Sequence, residues 1–153
     1  MLYFAYGSNL NRADMRARCP AAVPLGPAHL PDHALVFRAW ADVVPRAGSR
    51  VAGGLWRITP ACAAALDLYE DVADGLYRRL LLPVLAEEGD EPAQAPADRQ
   101  ALVYRPALVY RMAGTHEAPP DPGYLATIVA GCHDFGIDAE PVLAAAARAR
   151  GAS

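Results

Sequence analysis

A chain of 153 residues has room for one domain with a substantial core and not for two of ordinary size, so the expected organisation is a single domain over residues 1–153. It is 54% hydrophobic and 20% charged, the balance of a globular chain, and its net charge of −3 with scattered basic residues offers no stripe for a phosphate backbone, which argues against a nucleic-acid partner. All 14 basic residues are arginine, which also argues against Schiff-base chemistry and a lysine-bearing phosphate loop.

Leu2 to Tyr6 is a short apolar and aromatic run bounded by Gly7, which predicts a buried strand. Helical spacing follows from about Leu10 to Arg18, and Pro20 stops it. From Val23 to Ile58 four short extended segments are expected, around Val23 to His29, His33 to Arg38, Asp42 to Pro45 and Val51 to Ile58. Pro, Gly, Asp and Ser separate them, as suits antiparallel connections better than helical crossovers.

Thr59-Pro60 is a helix start, since threonine caps free N–H groups and proline is preset for the first helical position, and the helix should run to about Glu70. Asp74-Gly75 then turns the chain into a strand from Leu76 to about Leu85, followed by an acidic, Pro- and Ala-rich exposed loop from Glu87 to Asp98. The pentapeptide Ala-Leu-Val-Tyr-Arg occurs twice, at Ala101 to Arg105 and Ala107 to Arg111. An even offset puts both copies on the same faces of one strand or hairpin, and the repeat carries no function. After an irregular loop from Gly114 to Gly123, two helices are expected, Tyr124 to Phe135 and Asp138 to Arg150, joined at Gly136 with Asp138 as a cap. The fold class is α+β: a small, mostly antiparallel, barrel-like sheet with flanking helices.

Cys19, Cys62 and Cys132 are odd in number and far apart, so buried free thiols are expected and neither disulfides nor a zinc knuckle. His29, His33, His116 and His133 lack metal-ligand spacing, so no metal is expected. With no cationic leader and no long apolar segment, the expectation is a cytoplasmic protein without a membrane partner, as a monomer or homodimer.

Two places could carry chemistry. Gly7-Ser8-Asn9 lies between a buried strand and a helix, where successive backbone N–H groups converge on an anion or a polarised carbonyl; the same tripeptide also reads as an ordinary turn with a helix cap. Cys62, Leu66 and Glu70 recur at intervals of four, which sets the Glu70 carboxyl on the apolar side of its helix, near the negative end of the helix dipole. Both effects raise its pKa towards the range of a general base, whereas a frayed helix end would leave Glu70 in water. Tyr77 and Arg79 alternate onto one face of the following strand, where Tyr77 serves either a polar site or packing.

Taken in order, YFAYGSNL, MRARCP, VVPRAGSRVAGGLWRIT, ALDLYEDVADGLYRR and APPDPGYLATIVAGCHDFGI resemble the gamma-glutamylcyclotransferase family, from Leu2 to about Leu143. The resemblance implies a small barrel-containing α+β fold, a small-molecule gamma-glutamyl substrate, release of 5-oxoproline, and no cofactor. It implies a substrate-binding loop from Tyr6 through Gly7, Ser8 and Asn9 to Leu10, acting largely through its backbone. The family's catalytic glutamate falls on Glu70, its pocket tyrosine on Tyr77, and a further position near the site on Tyr124. The segment AWADVVP departs from the glycine-rich approach that relatives often show, which bears on the pocket wall and hence the leaving group. A rival of another class is a non-catalytic binding or sensor domain for a small acidic metabolite; the Glu70 carboxyl beside an anion-binding loop favours the enzyme.

Overall fold

The computed structural model describes residues 1–89 and 101–151. Its elements in chain order are β1 (Leu2–Ala5), a 3-10 turn (Ser8–Leu10), α1 (Arg12–Arg18), β2 (Val23–Arg38), β3 (Trp40–Arg57), α2 (Pro60–Tyr69), β4 (Tyr77–Glu87), β5 (Leu102–Met112), α3 (Pro122–Phe135) and α4 (Glu140–Gly151). The strands close into a barrel in the order β1-β3-β2-β4-β5. All pairings are antiparallel except that of β5 with β1, at Tyr3 and Leu108. This is the expected α+β architecture, with helices flanking a mostly antiparallel barrel.

The four short segments expected between Val23 and Ile58 are instead one long hairpin of β2 and β3. The turn-forming residues that suggested breaks are absorbed as irregularities within it. Arg46 to Ser49 bulge out opposite Asp32, whose backbone is left-handed (φ 57°) and whose carboxylate accepts the Gly48 N–H at 3.0 Å. Only Ala39, at φ 63°, separates the two strands, and the hairpin tip is pinned by loop residue Ala118, which accepts from the Ala39 amide and donates to the Phe37 carbonyl. Another cross-link is the buried Asp42 carboxylate, which accepts from Arg38 Nε at 2.9 Å and from the Val43 and Met112 amides at 2.8 Å. It thereby joins β3 to β5, strands that are not sheet neighbours.

The helix expected from Leu10 begins at Arg12, because Asn11 caps it by accepting the Asp14 amide, and the preceding residues form the 3-10 turn. Pro122 starts α3 two residues earlier than expected, with Asp121 accepting the amides of Gly123 and Tyr124. Asp138 accepts the Glu140 amide at the start of α4, as a cap should. At Gly131 a Cβ would stand 2.5 Å from the backbone of Leu10 and Asn11, so glycine there lets α3 lie directly on the turn after β1. Cys19, Cys62 and Cys132 are buried free thiols, and burial pushes Cys19 and Cys132 up to about 11. Residues 90–98 of the acidic segment lie outside the described residues; Glu87 ends β4. Among the described residues no helix is long and apolar enough to cross a membrane.

Candidate active site

One cavity of about 370 Å³ opens where β1, the 3-10 turn, the C-terminus of α2, the start of β3 and α3 meet. Seven of the eight residues singled out from the sequence line it: Tyr6, Gly7, Ser8, Asn9, Glu70, Tyr77 and Tyr124. Leu10 does not. Its side chain is wholly buried in the core and its N–H is bonded to the Gly7 carbonyl, so neither faces the cavity.

The 3-10 turn holds its first residues against the cavity, and the amides of Ser8 and Asn9, at its start, have no acceptor within the turn. Gly7 has φ −116° and ψ −138°, and the space beside it is tight. A Cβ would sit 3.2 Å from Ala41 Cβ and 3.4 Å from the Tyr124 hydroxyl. Asn9 is buried and bonded at both ends of its amide: Oδ1 accepts from Arg18 at 2.7 Å, and Nδ2 donates to the Tyr3 hydroxyl at 3.0 Å. The same Nδ2 lies 3.5 Å from Glu70 Oε1, the outer limit of a hydrogen bond. Trp56 donates its indole N–H to the Asn9 carbonyl.

Glu70 is the C-cap of α2, on the face of Cys62 and Leu66 as the four-residue spacing predicts. The helix is closed by a Schellman pattern, Val72 N–H to the Asp67 carbonyl and Asp71 N–H to the Leu68 carbonyl. Asp71 takes the left-handed position (φ 54°) that glycine more often fills. The chain therefore turns sharply at Asp71, and the Glu70 carboxyl is left at the cavity. Burial raises that carboxyl from its ordinary 4.5 to about 7, partly offset by the nearby Arg18 cation. Arg18 is held in turn by Asn9 and by stacking, its guanidinium 3.7 Å above the Tyr69 ring.

Two phenols bracket one residue of β3, Ala41. Tyr77 donates to the Ala41 carbonyl at 2.6 Å, and the Ala41 amide donates to the Tyr124 oxygen at 3.0 Å. The Tyr77 proton is thus committed, whereas Tyr124, as an acceptor there, keeps its own O–H for the cavity. Burial raises Tyr3, Tyr6, Tyr77 and Tyr124 further above the ordinary phenol value, so these rings are neutral hydrogen-bonding walls rather than bases. Glu70 is accordingly the lining group whose proton exchanges near neutral pH.

Several lining residues were not foreseen: Tyr3, Trp40, Ala41, Leu68, Tyr69, Asp71, Leu76 and Tyr110. Tyr69 bonds Ser8 Oγ at 2.9 Å, and its place directly before Glu70 was a usable signal. Trp40 and Ala41 lie in the AWADVVP segment whose departure from the family pattern pointed to this wall. Tyr110 and Arg79 share Asp67, at 2.6 and 3.0 Å, which anchors α2 to the barrel rather than serving the cavity. Among the described residues no group of three or more His, Cys, Asp and Glu could hold a metal ion.

Residues 3–123 match the family model described as gamma-glutamyl cyclotransferase, AIG2-like. The gamma-glutamylcyclotransferase of Bos taurus is 30% identical over 151 aligned positions, covering 91% of this chain and 73% of that protein. That of Mus musculus is 31% identical with the same coverage. A solved structure named gamma-glutamyl cyclotransferase superposes with a TM-score of 0.76 at 25% identity, covering 100% of this chain and 88% of that one.

Proposed function

We propose that this chain, which belongs to the gamma-glutamyl cyclotransferase, AIG2-like family and is an enzyme of the gamma-glutamylcyclotransferase type, converts a gamma-glutamyl amide to 5-oxoproline and a free amine with Glu70 as its only acid/base group. The observation that carries the Glu70 assignment is a carboxyl raised to about 7 at the meeting point of the Gly7-Ser8-Asn9 turn and the phenol wall. At neutral pH such a group is present in both protonation states, which suits one residue that must first accept and then return a proton.

The substrate carries its own nucleophile. Its α-amine reaches the γ-carbonyl to close a five-membered ring, so orientation supplies much of the rate and no covalent enzyme intermediate is needed. Glu70 takes a proton from the α-ammonium, the freed nitrogen forms the new C–N bond, and the bond to the leaving amine breaks as Glu70 returns a proton to it. In total two protons pass from the α-nitrogen to the departing nitrogen, which leaves as an ammonium, and Glu70 ends as it began. Tyr6, Gly7, Ser8 and Asn9 form the wall for the glutamyl end, with the Ser8 and Asn9 amides as donors. Tyr124 adds a hydroxyl donor, and Tyr77 fixes the Ala41 wall against which the substrate lies.

Mass spectrometry of products from a panel of gamma-glutamyl amino acids, gamma-glutamyl amines and glutathione tests this reading. Equal amounts of 5-oxoproline and the leaving group are expected from at least one member. Glutamate in place of 5-oxoproline would mean attack by water and would overturn the ring-closure mechanism.

A further inference from the structure

The geometry points to the mouth of the Glu70 cavity as a seat for an apolar leaving group without a carboxylate, with Trp40 and Leu68 as its specificity-determining residues. The preferred substrate is then the gamma-glutamyl amide of an aromatic or bulky apolar amine, an assignment that rests on the cyclotransferase reading above.

Eight large hydrophobic side chains are exposed among the described residues, and three of them, Trp40 at 46%, Leu68 at 81% and Tyr69 at 42%, line this one cavity. Such residues scattered singly need no explanation, but a cluster around the opening of a concave site is a binding surface. Trp40 is also held in place. It opens β3 beside the hairpin tip that Ala118 pins, and its ring stands edge-on to Tyr124 at 5.0 Å between centroids. Half-buried Leu76 continues the apolar surface from the other side of the α2 turn.

The charged side chains of the lining are Glu70 and Asp71, both acids. A leaving amino acid would bring its own carboxylate beside them. Arg18, the cation that acts on Glu70, is engaged by Asn9 Oδ1 at 2.7 Å and Asp14 at 3.9 Å, with its face against Tyr69. An uncharged ring instead covers Trp40 and Leu68 and removes their surface from water. The glutamyl end of the substrate is common to all candidates, so the mouth is where discrimination arises.

A set of three compounds isolates the two effects: gamma-glutamyl-phenethylamide, gamma-glutamyl-phenylalanine, which adds only the carboxylate, and gamma-glutamyl-methylamide, which lacks the ring. 5-Oxoproline release gives kcat/KM for the unmodified protein, Trp40→Ala, Leu68→Asn and Asp71→Asn, and calorimetry on Glu70→Gln gives binding of the same compounds without turnover. The phenethylamide should lead both others by about tenfold or more. Trp40→Ala and Leu68→Asn should shrink its lead over the methylamide, and Asp71→Asn, which keeps a residue tolerant of the left-handed backbone, should narrow its lead over the phenylalanine compound. Equal or better use of gamma-glutamyl-phenylalanine, or equal losses on all three compounds in Trp40→Ala, would overturn the assignment while leaving the reaction intact. Tightest binding of the phenethylamide to Glu70→Gln, with no 5-oxoproline from any compound and the unmodified protein, would uphold the subsite and overturn the reaction.

Discussion

At the floor of the cavity Asn9 is bonded to Arg18 and Tyr3 and lies beside Glu70, and the phenols of Tyr77 and Tyr124 hold the backbone N–H and carbonyl of Ala41 in β3; at the mouth Trp40, Leu68 and Tyr69 present apolar surface to solvent. The floor is a network in which each polar group fixes another, at the cost of burying a carboxyl. The mouth is open surface; Tyr69 is tied to the floor through Ser8 and Arg18, but Trp40 and Leu68 can differ with less disturbance of that network. Chemistry common to a family belongs at the floor and choice among leaving groups at the mouth, so substitutions in the two regions should have different signatures. Floor variants should change turnover of every substrate together, and mouth variants should change the ratio between substrates.

Gly7→Val should break the floor most severely. A Cβ alone already meets Ala41 tightly at 3.2 Å and the Tyr124 hydroxyl at 3.4 Å, and the valine methyls reach further, so the wall or the substrate must give way. Turnover should fall on the order of 10²-fold for all substrates, as expected for misplaced reacting groups, with about 1–3 kcal/mol lost in urea unfolding from overpacking.

A second consequence of the floor is a stability cost with a definite pH dependence. The native state holds the Glu70 proton more tightly than the unfolded chain does, so the stabilisation this gives is fully present below the ordinary 4.5 and lost as pH rises through about 7. Glu70→Gln should therefore be more stable than the unmodified protein at pH 8, by on the order of 2 kcal/mol, with the difference closing near pH 4. Urea titrations of both proteins at the two pH values check this.

Smaller in effect, Arg18→Met removes the cation that lowers Glu70 and releases Asn9. The acidic limb of the rate profile should move to higher pH, with a several-fold loss at pH 7 that narrows at pH 8.5. An unmoved limb would mean that Arg18 acts only as a support for Asn9. The mildest floor variant is Ser8→Ala, which loses one contact to the Tyr69 hydroxyl. It should cost less than about 1.5 kcal/mol in transition-state binding, because backbone amides and not the hydroxyl serve the glutamyl end. Full loss of activity in a folded Ser8→Ala protein would point to a hydroxyl-centred mechanism instead.

Elements with local signals were legible in the sequence. Thr59-Pro60 starts α2 where the capping rule puts it, and the four-residue spacing from Cys62 brings Glu70 to the cavity. The long β2–β3 hairpin was not, because Pro, Gly and Asp read locally as turns and only pairing with the opposite strand shows that bulges accommodate them. The duplicated pentapeptide makes the same point with identical side chains. The copies lie at the two ends of β5, the first beginning one residue before it, yet Tyr104 is 68% exposed and Tyr110 2%, because Tyr110 lies under α2, whose Asp67 accepts its hydroxyl, and against Tyr3, whereas Tyr104 faces solvent. Periodicity gives the face and not the depth. Trp40 and Ala41 were missed for a related reason: nothing within AWADVVP reports that Tyr77 and Tyr124, far away in sequence, will grip its backbone.

The most direct measurement is the pH dependence of 5-oxoproline release by the unmodified protein beside Glu70→Gln. The account predicts that kcat/KM falls below a pH of about 7, where Glu70 takes up its proton, and that Glu70→Gln keeps its fold and ligand binding while turnover drops on the order of 10²-fold or more. Near-normal release by a folded Glu70→Gln protein, with the same acidic limb, would contradict it.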